Sequence, residues 1–154
     1  MAGFKGQAEY SVDNKGRVAI PAKMRNVLNP EAKNTFVLTR GFEKCIFIYP
    51  LDRWEMIEAQ VSSLNMYKGE ASDFVRILMM FADEAVLDGQ GRVGIPKALM
   101  DYAGITEKAL ILGAFDRIEL WDPATFEQYI NAQTANYETL AESVMGMADA
   151  AQPR

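Results

Sequence analysis

Asp13 and Arg17 stand four residues apart on either side of a glycine, and the same pair returns as Asp88 and Arg92. The run Asp13-Asn14-Lys15-Gly16-Arg17-Val18-Ala19-Ile20-Pro21 recurs as Asp88-Gly89-Gln90-Gly91-Arg92-Val93-Gly94-Ile95-Pro96, with Asp, Gly, Arg, Val, Ile and Pro in identical places 75 residues apart. Such a match is the mark of an internal duplication. Its chemistry is that of a charged turn: Gly16 and Gly91 supply positive φ, and Asp13 and Asp88 can accept backbone or guanidinium hydrogen bonds across the reversal. Arg17 and Arg92 then have two roles open to them. Each can fold back on its aspartate and lock the turn, or turn its planar fork outward to an anion. Lys15 projects from the turn tip, where a charge is either solvated or meets a ligand.

Other chemistries are poorly supplied. The chain has no histidine, which removes the commonest general base and metal ligand, and its one cysteine, Cys45, lies in the apolar run Cys45-Ile46-Phe47-Ile48 and reads as a small core residue. Asp83, Glu84 and Asp88 are the nearest thing to a magnesium cluster, but acids beside a turn are usually caps or solvated groups. There is no phosphate-cradling glycine loop and no zinc spacing. The expectation is a protein that is not an enzyme, with no metal, cofactor or small-molecule substrate. No run of eighteen apolar residues occurs, so no membrane partner and a cytoplasmic location are expected. The formal charge of -5 hides an uneven distribution. Residues 1–44 hold eight Lys or Arg against four acids, a balance of +4, and the remaining 110 residues a balance of -9. A cationic first third joined to an acidic remainder is compatible with one nucleic-acid-facing surface, and equally with scattered surface charge.

The elements that must position these turns read as follows. Ala8–Val12 and Ala85–Leu87 approach the turns as strands, and Arg17–Ile20 and Arg92–Ile95 leave as strands, so each turn is expected to close a hairpin. Pro21 and Pro96 end those strands where a helix can begin, and Ala22–Leu28 and Lys97–Ala103 have helical composition. Phe36–Thr39 with Cys45–Tyr49, and Ala109–Leu112 with Ile118–Trp121, form a second strand pair in each copy. Each unit is therefore β-β-α-β-β. Leu51–Leu64 is a helix with Trp54, Ile57, Val61 and Leu64 on one stripe, Ala71–Phe81 a helix apolar nearly all round, and Pro123 opens a helix running toward Met147. Met79, Met80, Met145 and Met147 read as core or subunit contacts. The tail 148–154 is expected to fray. The division is 1–50 for the first unit, 51–82 for a helical connector, 83–122 for the second unit and 123–154 for a C-terminal helix and tail.

Two copies of Asp-x-x-Gly-Arg-Val-x-Ile-Pro, each within a β-β-α-β-β unit, resemble the swapped-hairpin fold of the AbrB/SpoVT superfamily. With the opening Phe4-Lys5-Gly6 and the run Asp13-Asn14-Lys15-Gly16-Arg17, the tandem chain resembles the bacterial MraZ family over nearly its whole length. The resemblance implies an α+β, mainly β fold: two swapped-hairpin units forming a pseudo-two-fold barrel with flanking helices. It also implies a nucleoid-associated transcriptional regulator that binds double-stranded DNA through a cationic β-surface. By that resemblance the protein is a ring-shaped homo-oligomer that represses the division and cell-wall gene cluster at short G-rich direct repeats. Asp13, Gly16, Asp88 and Gly91 become the signature-turn residues, and Lys15, Arg17, Arg25, Arg92 and Lys5 the DNA contacts. Arg presents a bidentate fork to guanine, whereas Lys suits a phosphate. Lys23 is a phosphate partner by charge and position only, or a solvated surface group. In the second copy Gln90 stands at the place of Lys15, Met100 at that of Arg25 and Asp101 at that of Asn26, so the first repeat is expected to supply most of the contact and the second to complete the fold. An assembly protein using its hairpins for oligomerisation, and an antitoxin-like regulator, are the alternatives.

Overall fold

The computed structural model describes residues 3–133 and 136–151, with side chains described as far as residue 146. In chain order the first copy contributes β1 (Gln7–Ser11), β2 (Arg17–Ala19), α1 (Ala22–Arg25), a 3-10 turn at Pro30–Ala32, β3 (Thr35–Arg40) and β4 (Ile46–Pro50). Two helices follow, α2 (Leu51–Ser62) and α3 (Gly69–Met80). The second copy repeats the order with β5 (Asp83–Val86), β6 (Arg92–Gly94), α4 (Lys97–Ala103), β7 (Lys108–Gly113) and β8 (Ile118–Trp121). It ends in α5 (Pro123–Asn131) and α6 (Tyr137–Ala151). Pro21 and Pro96 are N-caps, one residue before the helical start. The C-terminal helix expected as one piece is broken between Asn131 and Tyr137, and residues 152–154 of the tail lie outside the described residues.

The expected hairpins do not form. β1 leaves its own unit and pairs antiparallel with β7, Gln7 opposite Leu112 and Ser11 opposite Lys108. β5 makes the reciprocal exchange with β3. β2 turns away from β1 and pairs with β6, with Val18 directly opposite Val93. The result is a six-stranded sheet in the order β1-β7-β8-β4-β3-β5 and a two-stranded ribbon, β2-β6. Both arrangements read the same after the two copies are exchanged, so a pseudo-two-fold axis passes through the Val18–Val93 pair and through Phe47 opposite Glu119, where β4 meets β8. β1 and β5 remain the two edges of the larger sheet, so its ladder is not closed into a barrel.

Alternation along the central strands sends side chains to two cores, as a period of two requires. Ile46 and Ile48 of β4 join Ile118 and Leu120 of β8 in the main core, with Val18, Ile20, Val93 and Ile95 from the ribbon and Met24 and Leu99 from α1 and α4. The ribbon and the two short helices thus roof one face of the sheet. Phe47, Leu110, Trp121 and Cys45 line the other face, where Phe126 of α5 packs edge-on against Trp121 at 5.0 Å between ring centroids. Cys45 is fully buried, and loss of solvation pushes its thiol up to about 12. Glu119 is nearly buried on the same face but fully engaged. Its Oε2 accepts from Arg117 Nε and Nη2 at 3.0 and 2.7 Å, and its Oε1 from Trp121 Nε1 at 3.0 Å.

The long helices pack less than their patterns suggest. Of the α2 stripe only Trp54 is buried; Ile57 and Val61 are half-buried and Leu64 is exposed. α3 contains no buried residue, so Met79 and Met80 are not core residues of this chain.

Candidate nucleic-acid interface

Both Asp-x-x-Gly-Arg turns fold by the same hydrogen bonds. In the first, Gly16 N–H donates to Asp13 O at 3.0 Å and Asp13 N–H to Arg17 O at 3.1 Å, with Gly16 at φ +75°. Asp13 Oδ1 accepts from Lys15 N–H at 2.9 Å and Arg17 N–H at 2.8 Å, and its Oδ2 from Arg17 Nε at 2.7 Å. In the second, Asp88 Oδ1 accepts from Gln90 N–H and Arg92 N–H at 2.8 and 2.9 Å, and Oδ2 from Arg92 Nε at 2.9 Å. The backbone N–H of Arg17 is the main reason that the Asp13 carboxyl is held at about 2, reinforced by the guanidinium and by Lys15 N–H. Asp88 is lowered in the same way, chiefly by Arg92 N–H. Of the two roles open to Arg17 and Arg92, the locking one is therefore occupied through Nε. Their side chains are 33% and 27% exposed.

The exchange of strands brings the two turns together. Ile20 N–H donates to Gly91 O and Ile95 N–H donates to Gly16 O, both at 2.9 Å, so each turn is stitched to the strand that leaves the other. Arg92 Nη1 also reaches Asp13 Oδ2 at 3.6 Å. Asp13, Gly16, Arg17, Asp88, Gly91 and Arg92, separated by 75 residues in sequence, thus belong to one surface around the ribbon.

Arg25 joins that surface at an unexpected point. Its Nε donates to Ile20 O at 2.9 Å, and its guanidinium lies against Gly91 of the other copy. A Cβ at Gly91 would fall 2.8 Å from Arg25 Cζ and Nε, so the contact requires glycine there, where φ is +74°. Lys15 is exposed at its turn tip, and among the described residues its side chain makes no hydrogen bond or ion pair. Lys5 is not brought to the first turn. It precedes β1, which separates it from Asp13, and Lys23 Nζ lies against the backbone of neighbouring Gly6. Sequence reasoning missed Lys97, which lines a hollow beside the first turn with Asn14, Lys15 and Met100, and whose Nζ pairs with Asp101 Oδ2 at 2.8 Å. No sequence signal reveals that neighbour, because it depends on which copy each strand leaves.

Among the described residues no three His, Cys, Asp or Glu side chains converge as a metal site, and no helix is long and apolar enough to cross a membrane.

The architecture defines a class: a tandem-repeat α+β protein whose two copies exchange strands and interlock their charged turns. The chain belongs to the MraZ family. That family's model, described as "MraZ protein, putative antitoxin-like", matches residues 4–77 and again residues 78–146. A relative from Natranaerobius thermophilus, named "Transcriptional regulator MraZ", is 36% identical over 142 residues, covering 92% of this chain and 96% of its own length.

Proposed function

We propose that this chain is a sequence-specific, DNA-binding transcriptional regulator. The carrying observation is that the strand exchange gathers Lys15, Arg17, Arg92 and Arg25 from both copies around one two-stranded ribbon. A β-ribbon is narrow enough to enter a major groove, and guanidinium Nη groups on it suit guanine O6 and N7. The naming of the Natranaerobius relative supports the regulatory role. On this reading the double-stranded target consists of short G-rich direct repeats, the outcome is repression of a division and cell-wall gene cluster, and the protein works in the cytoplasm at the nucleoid. Lys5 and Lys23, set apart at Gly6, are phosphate contacts at most, and Asp13 and Asp88 hold the arginines in place.

One protomer offers few cations, so tight binding calls for several copies on several repeats. Exposed apolar side chains support self-association. Phe74, Ile77 and Met80 of α3 are 44%, 44% and 71% exposed, and Leu140, Val144 and Met145 of α6 are 47%, 64% and 62% exposed. Patches of this kind mark interaction surfaces. Because α3 ends the first copy and α6 the second, each protomer carries two such patches, the arrangement that lets copies join in a ring.

The test is fluorescence anisotropy with a duplex of tandem G-rich repeats and a scrambled duplex of the same length, from 50 to 200 mM salt. Preference for the repeats, with affinity falling steeply as salt rises, is expected. Failure to bind either duplex at low salt overturns the proposal and favours an assembly protein.

A further inference from the structure

The second signature turn looks poor as a contact because Gln90 occupies the place of Lys15, but the strand exchange changes what surrounds it. We infer that Arg25 of the first copy serves as the phosphate-contacting cation of the second copy's turn, making the two turns a pair of comparably charged contact points on one DNA surface. The inference rests on the DNA-binding reading above and deepens it.

Three observations carry it. First, Arg25 crosses between copies: its guanidinium covers Gly91 while its Nε is tied to Ile20 O, and Ile20 N–H is in turn bonded to Gly91 O. The side chain is thereby fixed over the turn, with its two Nη groups unbonded among the described residues and the residue exposed. A guanidinium oriented in advance loses less conformational freedom on meeting a phosphate. Second, the contact is one-sided. Met100, the counterpart of Arg25, lies beside the first turn, and there the cation is Lys15 at the tip. Among the described residues each turn therefore has one cation free of carboxylate partners, drawn from the tip in one case and from the opposite copy in the other. Third, Gly91 is buried beneath Arg25 whereas Gly16 is only half-buried, so the second turn is shaped around the arginine.

The experiment is a salt series by anisotropy on the tandem G-rich duplex, paired with phosphate-ethylation interference, for wild type, Lys15→Ala, Arg25→Met, Gln90→Lys and the double variant Arg25→Met/Gln90→Lys. Methionine already occupies the equivalent position at Met100, and circular dichroism checks that each variant is folded. Loss of one phosphate contact flattens the slope of log K against log salt by about 0.9 per engaged subunit and weakens binding roughly eightfold per contact at 0.1 M salt. Arg25→Met is expected to show that loss, with ethylation interference disappearing at phosphates distinct from those lost in Lys15→Ala. Gln90→Lys, which puts a cation on the same turn from its own copy, is expected to restore the slope to Arg25→Met. If Arg25 served only to latch Ile20, Arg25→Met would weaken binding with no loss of ethylation interference at particular phosphates, and that result overturns the inference. An unchanged slope in Arg25→Met with wild type binding normally overturns it too, while leaving the DNA-binding reading intact. Should Arg25→Met not fold, Arg25→Gln takes its place: a flattened slope supports the inference, and an unchanged slope overturns it. Absence of wild-type binding overturns both readings together.

Discussion

Asp13 is the residue through which the two turns share a charge. It binds its own loop through Lys15 and Arg17 N–H, its own arginine through Oδ2, and lies 3.6 Å from Arg92 of the other copy. Those contacts favour the ionised carboxylate, so its folded pKa falls from 3.8 to about 2. Between those values the unfolded chain binds more protons than the folded one, so the stabilisation is complete above the upper value and is lost as pH falls toward the lower. Asp88 adds to the same trend in the same direction. Asp13→Asn is thus expected to lower stability at neutral pH and to flatten the acid-unfolding profile below pH 4. Urea titrations from pH 7 to pH 2.5 measure both. A variant as stable as wild type at pH 7 would mean that the turn hydrogen bonds do not depend on the carboxylate's charge. Arg17 and Arg92 act partly through the same lock, so replacing either with alanine loosens a turn as well as removing a contact.

The repeated motif, the strands and the short helices were legible because they follow from local chemistry: glycine at positive φ, proline at strand ends, and apolar alternation in Ile46–Ile48 and Ile118–Trp121. So was the pairing of β3 with β4 and of β7 with β8, but the partners of β1, β2, β5 and β6 were not. Chain proximity favours closing β1 on β2 and β5 on β6, whereas in a duplicated chain each strand also has an equivalent partner in the other copy, and local pattern cannot choose between them. The same ambiguity hid the position of Arg25, which sequence places near the first turn and folding places over the second. The exposed faces of α3 and α6 were also illegible, since an apolar stripe reads the same whether it meets a core or another molecule. Pseudo-symmetry makes an element-level prediction. Val18 and Val93 face each other at the axis and are each 1% exposed, so Val18→Ala and Val93→Ala should each cost about 2 kcal/mol, with similar values for both. Chemical denaturation compares them directly. A large difference would show that one copy carries the ribbon and the other follows.

The whole molecule has a cationic first third, an acidic second half and apolar helices at the end of each copy. On the proposed reading the ribbon meets DNA while α3 and α6 meet other copies. Ile77→Glu/Met80→Glu is expected to reduce the mass seen by light scattering toward the 17.2 kDa of one chain and to weaken binding to tandem repeats more than binding to a single repeat. A wild type that already runs as a single chain would contradict this. The most direct test of the central claim uses Lys15→Ala, because this exposed side chain has no hydrogen bond or ion pair among the described residues and its loss leaves the turn locks untouched. Measured by anisotropy on the tandem G-rich duplex across a salt series, the folded variant should bind more weakly, with a slope shallower by about 0.9 per engaged subunit. Affinity and slope equal to wild type would mean that the interlocked turns hold the fold together and do not read DNA.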